Sequence, residues 1–388
     1  MFKTATILRP VSIPGSLYGQ SMPCDLFNAR GTLLLKAGTV LSQRTGAYMP
    51  SQRVFCQAHQ AGKISKDNPA VRLNALAEDL STISQAAEQN DYVSEQRLRQ
   101  LATALYAVWE MDADFCIGYC RLQQFSRPSI RHCLLAALLT LELCAANGME
   151  KALRQDIAGA ALTMNLNSMT LHDQWYASPA ALDRQQKNAI ELHPVNMAMW
   201  LRRIGMRSQV WLDTITQHHE DIDGRGYPWG LKGTQISIGG RVVRIADMLA
   251  ARMIGCRHRA LQHWNIKYTR SVTQWMQHIF GNDLGRLDKT LVRMLLQRLG
   301  YYMPGSLVRL ASRQTAVIAR RDGTESIPVP RQAVVLTDNR MNPLPFLQAR
   351  ELNPQDMRLM TFADDEAAKL KVADWQTVWG YGYQDTIH

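Results

Sequence analysis

Residues 218–233 read HHEDIDGRGYPWGLKG, and the placement of this stretch decides the fold of the central chain. Two adjacent histidines lead into a glycine-rich segment. Gly224 and Gly226 permit a tight backbone course, and Tyr227-Pro228 reads as an exposed, stiff tip. The stretch is therefore a loop. On one side SQVWLDTITQ (208–217), and on the other GGRVVRIADMLAARMIG (239–255), carry helical spacing. Further upstream IRHCLLAALLTLELCAANGM (130–149) is a helix stopped by Asn147-Gly148. DIAGAALTMNL (156–166) and RQQKNAIELHPVNMAMWLRRIGM (184–206) continue the pattern. No strand alternation interrupts these segments, so an all-α domain is expected over 110–300.

The flanks differ. Residues 1–65 contain CDLFNARGTLLLKAGTVLS, short strand-like runs separated by turns, and read as a small β-rich N-terminal unit. Residues 66–109 shift to Ala, Gln, Glu and Leu with helical spacing and read as a helical connector. Residues 301–388 return to β-rich runs and form a small C-terminal unit. The expected fold is mainly α: a helical bundle flanked by small β-rich units.

Composition narrows the class. The 388 residues carry a formal net charge of +11, which suits anionic partners such as nucleotides, nucleic acid or acidic proteins. No helix-turn-helix, zinc-finger or RNA-binding signature accompanies the charge, so a nucleic-acid-binding regulator is the weakest reading. Seven cysteines without framework spacing read as free thiols in a reducing cytoplasm. The longest apolar run, CLLAALLTLELCAA, is shorter than a bilayer span and contains Glu142, so it reads as a buried helix and no membrane span is expected.

The helical domain collects potential metal ligands: His132, His193, His218, His219 and Asp247. Imidazole and carboxylate suit Fe, Mn or Zn. A lone histidine on a helix is usually structural; several with a helix-borne aspartate in one domain are harder to dismiss.

The string at 218–233 resembles the signature of the HD-GYP family, a branch of the HD phosphohydrolases. It matches at His218, His219, Glu220, Asp223, Gly224, Gly226, Tyr227, Pro228, Gly230, Leu231 and Gly233. RVVRIADMLAARM is similar to the family segment that carries a ligand aspartate, here Asp247. IELHPV is similar to its His-Pro segment, here His193, and RHCLLAALL to its first ligand helix, here His132. The resemblance implies an HD-type helical bundle and a bacterial cytoplasmic signalling protein. It implies hydrolysis of cyclic di-GMP by two or three metal ions, often Fe or Mn, with Arg257 and Arg259 as phosphate contacts. It also implies that the loop contacts diguanylate cyclase domains.

The eponymous dyad departs from the pattern. Counting back from His193, the aligned string is LTMNLNSM, which puts Met164 where the family has His, Asn165 where it has Asp and Ser168 where it has Lys. Pro128 stands where many members have a ligand glutamate. A thioether is a poor ligand for Fe(II) or Mn(II). Asn165 offers one neutral carbonyl oxygen where a bridging carboxylate offers two charged ones. A literal His172-Asp173 follows eight residues later and reads as a surface pair or helix-end decoration. At most one divalent ion, Fe or Mn, is expected, and a full dinuclear or trinuclear site is not. The resulting expectation is a degenerate domain, weak or inactive as a phosphodiesterase, that acts by binding cyclic di-GMP, a related nucleotide or a signalling protein. The alternative is an active phosphodiesterase whose metal site is reorganised around His172-Asp173 or the remaining ligands.

Overall fold

The computed structural model describes residues 4–381 apart from several stretches, the longest being 42–53, 255–284 and 363–373. The chain divides into two compact units. One comprises 1–71, 110–119 and 302–388, and the other 72–109 and 120–301.

The first unit is built on two antiparallel sheets. Strands β1 (Thr4–Ala5), β2 (Leu8–Val11), β3 (Leu26–Phe27), β4 (Leu33–Leu35) and β5 (Val54–Gln57) come from the N-terminal stretch. Strands β6 (Leu307–Arg309), β7 (Thr315–Asp322), β8 (Val329–Thr337), β9 (Pro343–Glu351) and β10 (Thr361–Phe362) come from the C-terminal stretch. The sheet orders are β2-β5-β3-β4 and β1-β9-β8-β7-β6-β10. Alternate residues such as Ala316 and Ile318, or Ala333 and Val335, bury together because successive side chains of a strand face opposite sides. The two terminal stretches are not separate appendages: Thr4 pairs with Arg350 and Ala5 with Ala349. Residues 110–119 belong here too. Buried Asp112 accepts hydrogen bonds from Arg320 and from the Tyr381 hydroxyl. Gly118 lies so close to Trp379 that an added Cβ would sit 2.1 Å from its ring.

The second unit is helical. It contains most of α1 (Pro69–Glu88) and of α2 (Glu95–Met111), whereas α3 (Ala113–Leu122) belongs to the first unit up to residue 119. It continues with α4 (Pro128–Ala146), α5 (Lys151–Thr163), α6 (Met169–Ala177), α7 (Arg184–Arg203), α8 (Gln209–Gln217), α9 (Ile238–Ile254) and α10 (Lys289–Leu299). Helix α4 is the core. It is long and apolar enough to cross a membrane by length and composition, yet 78% of its apolar window is buried among the other helices. Its one acid, Glu142, is fully buried and paired: Trp109 Nε1 donates at 2.8 Å and Arg298 Nε at 2.7 Å. The helix starts at Pro128, a residue suited to the first helical position because its missing N–H would be unpaired there anyway. It ends at Asn147, with Gly148 at φ 71°. Helices α5, α9, α10 and α6 pack around α4.

Candidate metal centre

The proline in the His-Pro segment has a local role. Pro194 sits inside α7 and has no N–H. The carbonyl four residues earlier, on Ile190, therefore lacks its helical donor. The Nδ1 of His193 fills that position at 2.5 Å. His218 is placed the same way for a different reason. It caps the C-terminus of α8, where the last carbonyls have no intrahelical partner. Its Nδ1 lies 2.5 Å from the carbonyl of Ile215.

These two hydrogen bonds set the tautomers. With Nδ1–H donating to a carbonyl, each Nε2 carries a lone pair. The two Nε2 atoms face each other at 3.2 Å. Two acceptors cannot hydrogen-bond each other, so the pair needs a proton or a cation between them. Burial, then the neighbouring imidazoles of His218 and His172, hold His193 well below the usual histidine range. Burial and the neighbouring His218 do the same to His219, and burial lowers His218 against the opposing charge of Asp247. A proton is thus disfavoured. One ligand nitrogen from each of His193, His218 and His219 lies within 4.8 Å of the others. Two imidazoles on one tetrahedral ion place their ring centres roughly 5 Å apart. His193 lies 5.1 Å from both His218 and His219 by that measure. The residues present fit a divalent cation.

Asp247 and His132 stand beside this triad. Asp247 is buried on α9 and accepts a hydrogen bond from His132 Nε2 at 2.8 Å, while its other oxygen is 3.9 Å from His219 Nδ1. Burial alone would raise the aspartate. The bond and charge of His132, with His219 and His218 nearby, outweigh it and hold Asp247 well below the carboxylate range. The structure therefore brings together all five predicted ligands, as a triad and an adjoining pair.

The glycine-rich loop wraps the triad. Glu220 is buried, and its two carboxylate oxygens accept the backbone N–H groups of Trp229 at 2.8 Å and Leu231 at 3.0 Å. Gly226 passes so close to the chain that a Cβ would lie 2.2 Å from the nitrogen of Asp221. Gly224 adopts φ 81°. Tyr227-Pro228 is not the exposed tip expected of it. The Tyr227 ring turns inward and stacks on His219, with centroids 4.6 Å apart, and the tip is Trp229, 54% exposed. Asp223 binds Arg225 within the loop. Asp221, which motif reading passed over, is buried and held by Arg244 at 2.9 Å and Arg286 at 2.8 Å, tying the loop to α9. Nothing in its spacing signalled that role.

A cavity opens beside the triad, lined by His132, His219 and Asp247 together with Ser129, Asn165, His172, Trp175 and Tyr176. Asn165, at 3% exposure, faces it from the turn after α5; Met164 is buried outside the lining. The Ser168 hydroxyl donates to the Asn165 carbonyl, at 3.3 Å. The Oδ1 of Asn165 and the Oγ of Ser129 are buried and have no hydrogen-bond partner among the described residues. The literal dyad splits. Asp173 is taken by the start of α4: it accepts the N–H of Ser129 at 2.8 Å and pairs with Arg127 at 2.6 Å. His172 is no surface decoration. It lines the cavity, and its ring centre is 5.5 Å from that of His193. The helix phase decides this, since adjacent residues on α6 point about 100° apart. Arg257 and Arg259 lie outside the described residues.

This region of the chain is similar to known proteins. Residues 120–262 match the HD domain family. The chain is 26% identical over 226 residues to the cyclic di-GMP phosphodiesterase PA4108 of Pseudomonas aeruginosa, covering 58% of this chain and 52% of that protein. It is 28% identical over 173 residues to the 3'3'-cGAMP-specific phosphodiesterase 2 of Vibrio cholerae, covering 44% of this chain and 32% of the other. The matched stretch spans about half the length of these relatives or less. A solved HDG"Y"P protein, Bd1817 from Bdellovibrio bacteriovorus, is similar over 74% of this chain and 98% of that one, at 14% identity and a TM-score of 0.45. With the HD match over 120–262 and the signature at 218–233 in place around a histidine triad, the helical unit carries an HD domain whose loop resembles the HD-GYP signature.

Proposed function

We propose that the helical unit binds a cyclic dinucleotide in the cytoplasm through one divalent ion, Fe or Mn, and that its phosphodiester hydrolysis is weak or absent. His193, His218 and His219 would hold the ion, with Asp247 and His132 beside them. A divalent ion there supplies Lewis-acid polarisation of the phosphodiester. The chain's own residues limit the rest. Asn165 faces the cavity as a neutral amide, so it can neither hold a proton nor balance the charge of a second cation. Met164 is buried and contributes no nitrogen. The observation that carries the proposal is the pairing of an intact histidine triad with an amide at the dyad position.

The test is hydrolysis and binding of cyclic di-GMP and 3'3'-cGAMP by protein purified without oxygen and loaded with Fe(II) or Mn(II). The expected result is binding with little product, and a gain of turnover in the double variant Met164→His, Asn165→Asp. Turnover by the natural chain at an ordinary enzymatic rate overturns the proposal. It would favour the second reading, an active phosphodiesterase with a reorganised site, whose supporting observation is His172 in the cavity wall. The loop supports a protein partner as well, since its exposed Trp229 is held out by a rigid base. A diguanylate cyclase domain is the partner we propose.

A further inference from the structure

We propose that Cys24 and Cys56, in the sheet formed by β2, β5, β3 and β4, are a redox site: a dithiol that peroxide converts to an intramolecular disulfide. The inference is independent of the metal centre.

The fold brings the two thiols together. Phe27 on β3 pairs with Phe55 on β5. Side chains alternate along a strand, so Cys56, one residue after Phe55, and Cys24, three before Phe27, turn to the face opposite that pair. Both bury there in one cluster with Val11, Leu26 and Val54. Both are free thiols, and they are hydrogen-bonded to each other, with Cys56 donating to Cys24. Cys24 stands on a bend before β3, outside the strand ladder, which leaves its backbone room to bring the sulfurs to the about 2.0 Å of a disulfide.

A second observation points to a thiolate in this place. Arg9 on β2 is the cross-strand partner of Cys56 and is 1% exposed. Its Nη2 donates to the carbonyl of Asp67, and its guanidinium lies 4.3 Å from the centre of the Tyr381 ring. Its Nε and Nη1 are buried without a partner among the described residues. A buried cation left with two unpaired donors favours an anion beside it. The hydrogen bond from Cys56, and then the charge of Lys63, lower the Cys24 thiol against its burial; donation to Cys24, with burial, pushes Cys56 up. Burial alone pushes Cys120, Cys133 and Cys144 up to about 12. Cys24 is therefore the attacking thiol and Cys56 the resolving one.

The chemistry balances with peroxide as the oxidant. The Cys24 thiolate attacks one peroxide oxygen, the O–O bond breaks, and a sulfenic acid and hydroxide result. The Cys56 sulfur then attacks the sulfenic sulfur. The S–S bond forms, the S–O bond breaks, and the departing oxygen leaves as water with the Cys56 proton. Two thiols lose two hydrogens and two electrons, and one peroxide becomes two waters. The oxidant has to be small, because both thiols are at most 1% exposed.

The test treats the full native chain with hydrogen peroxide, removes the peroxide with catalase, alkylates in denaturant and maps the peptides by mass. The expected result is a Cys24–Cys56 linked peptide, lighter by two hydrogens and reversed by a dithiol reductant. Loss of free Cys24 and Cys56 should be at least ~10-fold faster than loss of Cys120, Cys133 or Cys144. Cys56→Ser should trap a sulfenic acid on Cys24, read by a sulfenic-acid-specific label, and Cys24→Ser should leave Cys56 reduced at the same dose. The map of the natural chain decides the pairing whether or not the variants fold. Recovery of both cysteines as alkylated thiols under excess peroxide, or linkage of either to another cysteine, overturns the proposal. A sulfenic acid on Cys56 in Cys24→Ser, with none on Cys24 in Cys56→Ser, overturns the assignment of the attacking thiol.

Discussion

Pro194 leaves the carbonyl of Ile190 without a helical N–H, and that carbonyl is the one that orients the ring of His193. The proline next to this candidate ligand thus serves to aim its ring. Pro194→Ala restores the N–H and sets it in competition with Nδ1. Two changes of opposite sign are expected. The metal-free chain becomes more stable, by at most about 3 kcal/mol, while divalent-metal affinity falls about 10-fold. Thermal unfolding with chelator and a metal titration read the two effects separately.

The histidine triad predicts the acid sensitivity of the metal-free protein. His193 and His219 are held well below 6.5 when folded, and return to about 6.5 when unfolded. Between those values the unfolded chain binds more protons. Their contribution is full above about pH 6.5 and is lost as the pH falls towards the folded values. The urea midpoint of chelator-treated protein should be lower at about pH 5 than at about pH 7.5. The difference should shrink in His193→Phe.

Glu220 gathers two backbone N–H groups that hold the loop closed. In Glu220→Gln one accepting oxygen becomes a donor facing a donor. Amide exchange at Trp229 and Leu231 should accelerate, reflecting a local loss of about 1–3 kcal/mol. Exchange within α4 should stay as it was.

Asp173 belongs to the helix and not to the metal. Asp173→Ala should cost about 1 kcal/mol in a denaturant titration, as for the loss of a helix-start acceptor. Metal stoichiometry should stay at the natural value. A loss of bound metal would return the aspartate to the site.

The helical domain was legible because its punctuation is local. Asn147-Gly148 ends α4 as its residues dictate, and the glycines at 224 and 226 mark the loop. The five candidate ligands were legible as a motif, and the fold brings their side chains together as a triad and an adjoining pair. Three features were not. The inward turn of Tyr227 depends on the ring of His219 being there to stack on. The role of Asp221 depends on Arg286, 65 residues away. The split of His172 from Asp173 depends on how α6 meets α4, which no periodicity within nine residues can fix. Local pattern encodes elements; partners distant in sequence decide which side chain faces which neighbour.

The pairing of Thr4 with Arg350 has a consequence for how the protein is made. Strand β1 leaves the ribosome long before β9, the strand with which it pairs. At ordinary elongation speeds the interval between them is on the order of tens of seconds. The whole helical unit, which ends at residue 301, emerges within that interval. Its helices can settle while the N-terminal strand still waits, so the order of birth along the chain and the order of completion in the fold run in opposite directions.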